Sequence, residues 1–254
     1  MSRFYLTLPS NSSMTCYPQN TVAQYTTKLS NMIELEGDWE VGLTELSVPS
    51  NVENIVSGRC YYDIYIHDVV RRISLKAGHY RMVEQLIFQL HIEQRTQTQL
   101  PAILVNFSYI TDRKRIQLEI EMQHVVGIEF SEDLARLLGF DDDVRYVGET
   151  IVAPRSINLV GDINSLFVYC DLLEPVFVGD TKAPLLRIVD KPRRVGGNAH
   201  RVMNQVLYVP LQKKCFDTVE INIMTDTGQP VAFLPGKSFV VLEFRRTVHP
   251  YFAI

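Results

Sequence analysis

What most constrains this chain is the spacing of its apolar residues, which recur every second position along most of its length and at helical spacing in one interior stretch. A period of two places alternate side chains on opposite faces of a strand, so one face can be buried while the other meets solvent. Phe4, Leu6 and Leu8 alternate in this way before the turn cluster Pro9-Ser10-Asn11-Ser12-Ser13. The run from Thr21 to Leu29 is β-branched and half polar. In the third run Trp39, Val41 and Leu43 share one face, then Leu46 and Val48 take the other, and Pro49 ends it. That change of phase predicts a bulge, or a strand covered on both faces. Trp39 should be largely buried, because an exposed indole on such a strand wastes its contact area. Tyr61 to Ile66 and Ile73 to Leu75 read as further strands.

After Gly78 the period changes. Val83, Leu86, Ile87 and Leu90 form one stripe of an amphipathic helix from about His79 to Arg95, closed by the polar stretch Gln94 to Gln99. Alternation returns at Ile103, Val105, Phe107 and Tyr109, turns at Thr111-Asp112-Arg113-Lys114, and runs back through Ile116, Leu118 and Ile120 as a hairpin. Ser131 can cap a short helix over Glu132 to Leu138, with Gly139 just past its end. From Ile157 strands dominate again, at 166–170, 185–189, 206–209, 219–223 and 239–244. The order is strands, then a mixed stretch, then strands. It predicts a mainly β fold, a β sandwich (residues 1–67 and 153–254) interrupted by a mixed α/β insertion (68–152).

Composition narrows the function. The chain has 254 residues, 46% hydrophobic and 21% charged, as ordinary globular proteins do. At this length it should bury roughly 70–75% of its unfolded surface without disulfide staples. Its four cysteines, Cys16, Cys60, Cys170 and Cys215, are scattered in or beside apolar runs, which reads as buried thiols in a reducing compartment. A net charge of −4 lacks the basic excess of a nucleic-acid coat, so nucleic acid is not the main partner. The N-terminus lacks a signal h-region, and no apolar run approaches roughly 18 residues. Synthesis in the cytosol and no membrane insertion are therefore expected, and the sequons at Asn11 and Asn106 read as chance matches.

No phosphate-binding, dinucleotide, serine-hydrolase or zinc-protease fingerprint occurs, so neither an enzyme nor a cofactor is expected. The six histidines form no ligand pair and read as surface or edge residues, and Asp141-Asp142-Asp143 as a solvated loop. Two segments are candidate contacts. Lys191, Arg193, Arg194 and Arg201 flank Val195-Gly196-Gly197-Asn198, which reads as a mobile, solvated loop; its cations could alternatively grip phosphate or an acidic subunit surface. At the C-terminus Tyr251 and Phe252, within Val248 to Ile254, would be a liability if exposed, and are expected to dock on their own domain or on a neighbour.

Several segments taken together carry a resemblance. They are FYLTLPSNSS from Phe4, LEGDWEVGLTELSVP from Leu35, LARLLGF from Leu134, VYCDLLEP from Val168, VGDTKAPLLR from Val178 and FDTVEI from Phe216. In this order they resemble the penton (minor capsid) proteins of Polinton/Maverick elements and adintoviruses. The resemblance implies a jelly roll forming pentamers at the five-fold vertices of an icosahedral virion, beside a double jelly-roll major capsid protein. The alternative from another class is a non-enzymatic β-sandwich module that binds a ligand or receptor, such as a domesticated host copy.

Overall fold

The first and last apolar runs pair with each other, and that pairing closes the larger part of the fold. The computed structural model describes residues 2–100, 102–159, 163–191 and 196–247. The chain opens with β1 (Arg3–Pro9), β2 (Gln24–Glu34) and β3 (Trp39–Pro49). It continues through β4 (Tyr61–Ile66), β5 (Val69–Ser74), α1 (Val83–Thr98), β6 (Val105–Ile110), β7 (Arg115–Ile120), β8 (Val125–Phe130), α2 (Glu132–Leu138) and β9 (Thr150–Val152). Then follow β10 (Ser165–Cys170), β11 (Val176–Val178), β12 (Thr181–Ala183), β13 (Leu185–Asp190), β14 (Asn198–Val202), β15 (Tyr208–Pro210), β16 (Cys215–Met224) and β17 (Phe239–Arg246). Two compact units result, Met1–Val52 with Ile163–Ile254, and Glu53–Asp162. The interior unit is wider than the 68–152 read from the change of period, because β4 pairs with β5 and β8 and not with a sandwich strand.

In the outer unit one sheet runs β1-β17-β3, with β14 and β15 both on the far side of β3, and the other runs β13-β10-β16-β2. All these pairings are antiparallel. With β14 and β15 as one interrupted strand, lettering from B to I gives B-I-D-G against C-H-E-F. That is the strand order of a jelly roll. The sheets face each other so that β1 lies against β2, where the Tyr25 hydroxyl donates to the Leu8 carbonyl at 3.1 Å. At the opposite flank β13 lies against β14, where Arg201 reaches Asp190 at 3.5 Å. The core is the set of inward residues of both sheets, among them Val41, Leu43, Val168, Ile221, Ile223, Val240 and Leu242.

The change of phase in β3 is a bulge. Val241 opposes Glu45 and Leu242 opposes Leu43, which leaves Thr44 as the extra residue. Its hydroxyl donates to the Val241 carbonyl at 3.0 Å. The bulge returns Leu46 and Val48 to the face that holds Trp39, Val41 and Leu43, and all five enter one core. The same point splits the strand on the other side of β3. β14 pairs with residues 45–49 and β15 with 40–42, while the Met203 N–H bonds the Thr44 carbonyl at 2.8 Å. There the chain passes so close that a Cβ on Gly42 would lie 2.7 Å from the Leu207 carbonyl oxygen, so only glycine fits. Trp39 is 6% exposed, and its indole N–H donates to the Glu36 carbonyl at 3.0 Å.

The interior unit is built from two three-stranded sheets, β5-β4-β8 and β6-β7-β9, with α1 and α2. α1 starts and ends later than the expected 79–95, because Met82 is still extended and the helix stops at a left-handed Gln99. Its buried stripe is Leu86, Leu90 and Gln94. The Gln94 amide replaces a missing strand. Its carbonyl oxygen accepts from the N–H of Leu104 (2.6 Å) and Val105 (3.0 Å), and its NH2 donates to the Val105 carbonyl at 2.9 Å. α2 spans the expected residues and ends at Gly139, which is left-handed at φ 88. Ser131 does not cap it; its hydroxyl accepts from the Tyr61 N–H at 3.1 Å and so ties α2 to β4. Rings of Tyr62, Phe107, Phe130, Phe140 and Tyr146 form a continuous aromatic run through this core. The ends of the unit are joined by Asn54, whose NH2 donates to the carbonyls of Tyr80 and Leu159, both at 2.8 Å.

Candidate functional site

A jelly roll offers neighbours two flanks, where edge strands of facing sheets lie together, and two ends, where connections gather. Three connections meet at one end of the sandwich: β2 to β3, β10 to β13, and β15 to β16. The Leu35 N–H bonds the Lys214 carbonyl at 2.8 Å, that of Leu211 bonds Trp39 at 3.0 Å, and that of Glu174 bonds Pro210 at 3.1 Å.

On the β1/β2 flank this end carries a groove of about 560 Å3, lined by Phe4, Ile33, Glu34, Leu35, Glu36, Trp39 and Arg246. Its floor is aromatic and aliphatic, because Phe4 stacks on Phe244 at 4.7 Å and touches Trp39 at 5.7 Å. Its rim is charged. Among the described residues neither Glu34, Glu36 nor Arg246 forms an ion pair.

On the β13/β14 flank the same end carries the hairpin β11–β12. Phe177 at its centre is the most exposed large apolar side chain among the described residues, at 76%. Lys182 faces it across the hairpin, with its ammonium 4.8 Å from the ring centroid. Periodicity passes over this hairpin because each arm is only three residues long. The signal that marks it is Gly179-Asp180 between Val-Phe-Val and Thr-Lys-Ala. The groove has no local signal at all, since its residues come from β1, β2, β3, β17 and the turn between β2 and β3.

Of the expected contact residues, the structure brings Lys191 and Arg201 to the β13/β14 flank. Arg201 does not lie in a loop. Asn198–Val202 is an edge strand on β3, whose exposed and polar side chains give no alternation to read. Lys191 is half-buried beyond the end of β13, its N–H bonded to the Asn164 carbonyl at 2.8 Å, and burial pushes its ammonium pKa down. Arg193, Arg194, Tyr251 and Phe252 lie outside the described residues.

The remaining candidates have structural explanations. Asp141 pairs with Arg155 at 2.9 Å, and Asp142 and Asp143 are exposed. No group of three or more metal-binding side chains gathers among the described residues. His91 is not a surface histidine. It is half-buried, its Nε2 accepts from the Phe107 N–H at 2.9 Å, and desolvation, with a smaller contribution from Arg95, lowers its pKa. The cysteines divide: all four are free, Cys60 and Cys170 are buried, and Cys16 and Cys215 are exposed, Cys16 in a turn and Cys215 at the first residue of β16. Burial pushes the Cys170 thiol up to about 12. No helix of the described residues is long and apolar enough to cross a membrane.

By its strand order the outer unit is a single jelly roll, and the chain is a jelly-roll β sandwich with a mixed α/β insertion between its third and fourth strands. Among solved structures, the crystal structure of the selenomethionine-labelled mavirus penton protein is similar, at 11% identity and a TM-score of 0.46, over 96% of this chain and 100% of that one. No family model matches the chain, and no curated protein does.

Proposed function

We propose that this chain is a structural, non-enzymatic minor capsid (penton) protein that forms pentamers at the five-fold vertices of an icosahedral virion. The observation that carries this reading is the jelly roll itself, B-I-D-G against C-H-E-F, whose flanks and ends can be shared with neighbouring copies. The resemblance to Polinton and adintovirus pentons supports it, because its segments fall on defining elements. LEGDWEVGLTELSVP is the β2–β3 corner with the whole of β3, and VYCDLLEP leads from β10 toward the exposed hairpin. In a virion the neighbours would be a double jelly-roll major capsid protein, with nucleic acid a secondary partner at most. Synthesis in the cytosol accords with four unpaired thiols.

The test is the mass of the purified full-length chain in solution, by light scattering and native mass spectrometry over a dilution series. Pentamers are expected. A chain that stays monomeric or dimeric at every concentration overturns the reading and favours a ligand- or receptor-binding module.

A further inference from the structure

The groove and the exposed hairpin lie at the same end of the sandwich but on opposite flanks. A closed ring of identical subunits needs that arrangement, because in a heterologous interface one side of each copy meets the other side of the next. We propose that Phe177, on hairpin β11–β12 of one copy, seats in the groove on the β1/β2 flank of the next copy, repeating head to tail around the ring.

Three observations point to this occupant. The first is chemical fit. An aromatic ring exposed at 76% meets a floor formed by Phe4, Ile33, Leu35 and Trp39, and aromatic side chains at the centre of a desolvated pocket dominate interface energetics. The second is charge. Lys182 lies beside Phe177 and Asp180 sits in the turn, whereas the groove rim carries Glu34 and Glu36 with Arg246. Each sign on the hairpin finds its opposite on the rim, which fixes register as well as attraction. The third is the hairpin itself. Among the described residues β11 and β12 pair only with each other, and a two-stranded ribbon alone is marginal in water. A neighbouring subunit would supply the missing cover.

The inference rests on the pentamer reading, and one set of measurements separates the two. Full-length protein and its variants are followed by analytical ultracentrifugation through a dilution series, with thermal melts of each. Phe177→Ala should shift the midpoint of ring dissociation to at least about tenfold higher concentration, as loss of an interface anchor does. The monomer melt should be unchanged, since Phe177 lies outside the core. Lys182→Glu should weaken the ring as well, and Glu36→Lys in the same chain should restore it.

If Phe177→Ala rings persist with an unchanged midpoint, the contact is refuted and the pentamer stands. If removing residues 248–254 dissolves the ring while Phe177→Ala leaves it intact, the groove takes the C-terminal segment and the hairpin assignment falls. A wild-type chain that never forms rings sinks both.

Discussion

In the sandwich, β1 pairs with β17, and the core draws on residues from Leu8 to Phe244. In the insertion, every ladder joins strands within Glu53–Asp162. The sandwich therefore cannot complete one sheet before β16 or the other before β17, both late in the chain, whereas the insertion is contiguous and its ladders are closed by shorter loops. The two cores also differ in chemistry. Hydroxyl and acid groups are what the sandwich buries, as at Ser10, Ser47, Ser238 and Glu243, while among the described residues the insertion buries one amide, Gln94, in the middle of its core. A local unit with few strands has backbone left over, and Gln94 supplies the partners that a further strand would have given to Leu104 and Val105.

The most forceful way to break this comparison is to cut the chain. Residues 53–162 expressed alone should fold with their own cooperative thermal transition, whereas removing 239–254, and with them β17, should abolish the sandwich transition. An unfolded 53–162 fragment by circular dichroism would mean that the insertion depends on the sandwich. A point change in the sandwich comes next. Trp39→Ala should cost roughly 3–5 kcal/mol in denaturant unfolding, because it empties an aromatic site in the core. A loss below about 1 kcal/mol would contradict the burial of that ring.

Within the insertion, Gln94→Leu keeps the volume but leaves two N–H groups and one carbonyl without their partner, and should cost roughly 2–4 kcal/mol. The effect should fall on the insertion transition alone; a matching shift of the sandwich transition would show that the two units unfold together. The smallest effect is the pH response of His91. Its folded pKa lies below the ordinary 6.5, so below that value the unfolded state binds the proton more readily. Stability from the neutral imidazole is complete above pH 6.5 and is lost as pH falls toward the lowered folded value. His91→Gln should flatten this part of the melting profile below pH 6.5 relative to wild type. An identical profile would remove His91 as its source.

How much was legible in the sequence follows from the same contrast. Half-buried strands announce themselves, so β1, the 105–120 hairpin, β16 and β17 could be placed, while the broken phase between Leu43 and Leu46 allowed a bulge or a doubly covered strand, and the pairing of β3 with β17 decides for the bulge. α2 was legible to the residue, since Gly139 must be left-handed and a Cβ there would press into the Arg155 carbonyl. Strands lacking one buried and one wet face were lost. β14 is exposed on nearly every residue, and β8 is buried at four of six, so neither alternates. Ser131 reads as a side-chain cap in the sequence, which cannot show that the Tyr61 N–H competes for its hydroxyl. The groove and Phe177 became a pair only through topology, which brings residues 4 and 246 side by side and sends 177 to the other flank.

Asn54 ties the departure of the insertion to its return at Leu159. The entropy of closing a long loop between β3 and β10, which grows with the logarithm of its length, is thereby met inside the inserted unit and not by the strands that carry it. Residues 54 and 159 are thereby held side by side, as the two ends of a short turn are. The site is thus a natural point for recombination, where a domain of different size or specificity could replace this one without renegotiating the sheet registers on either side.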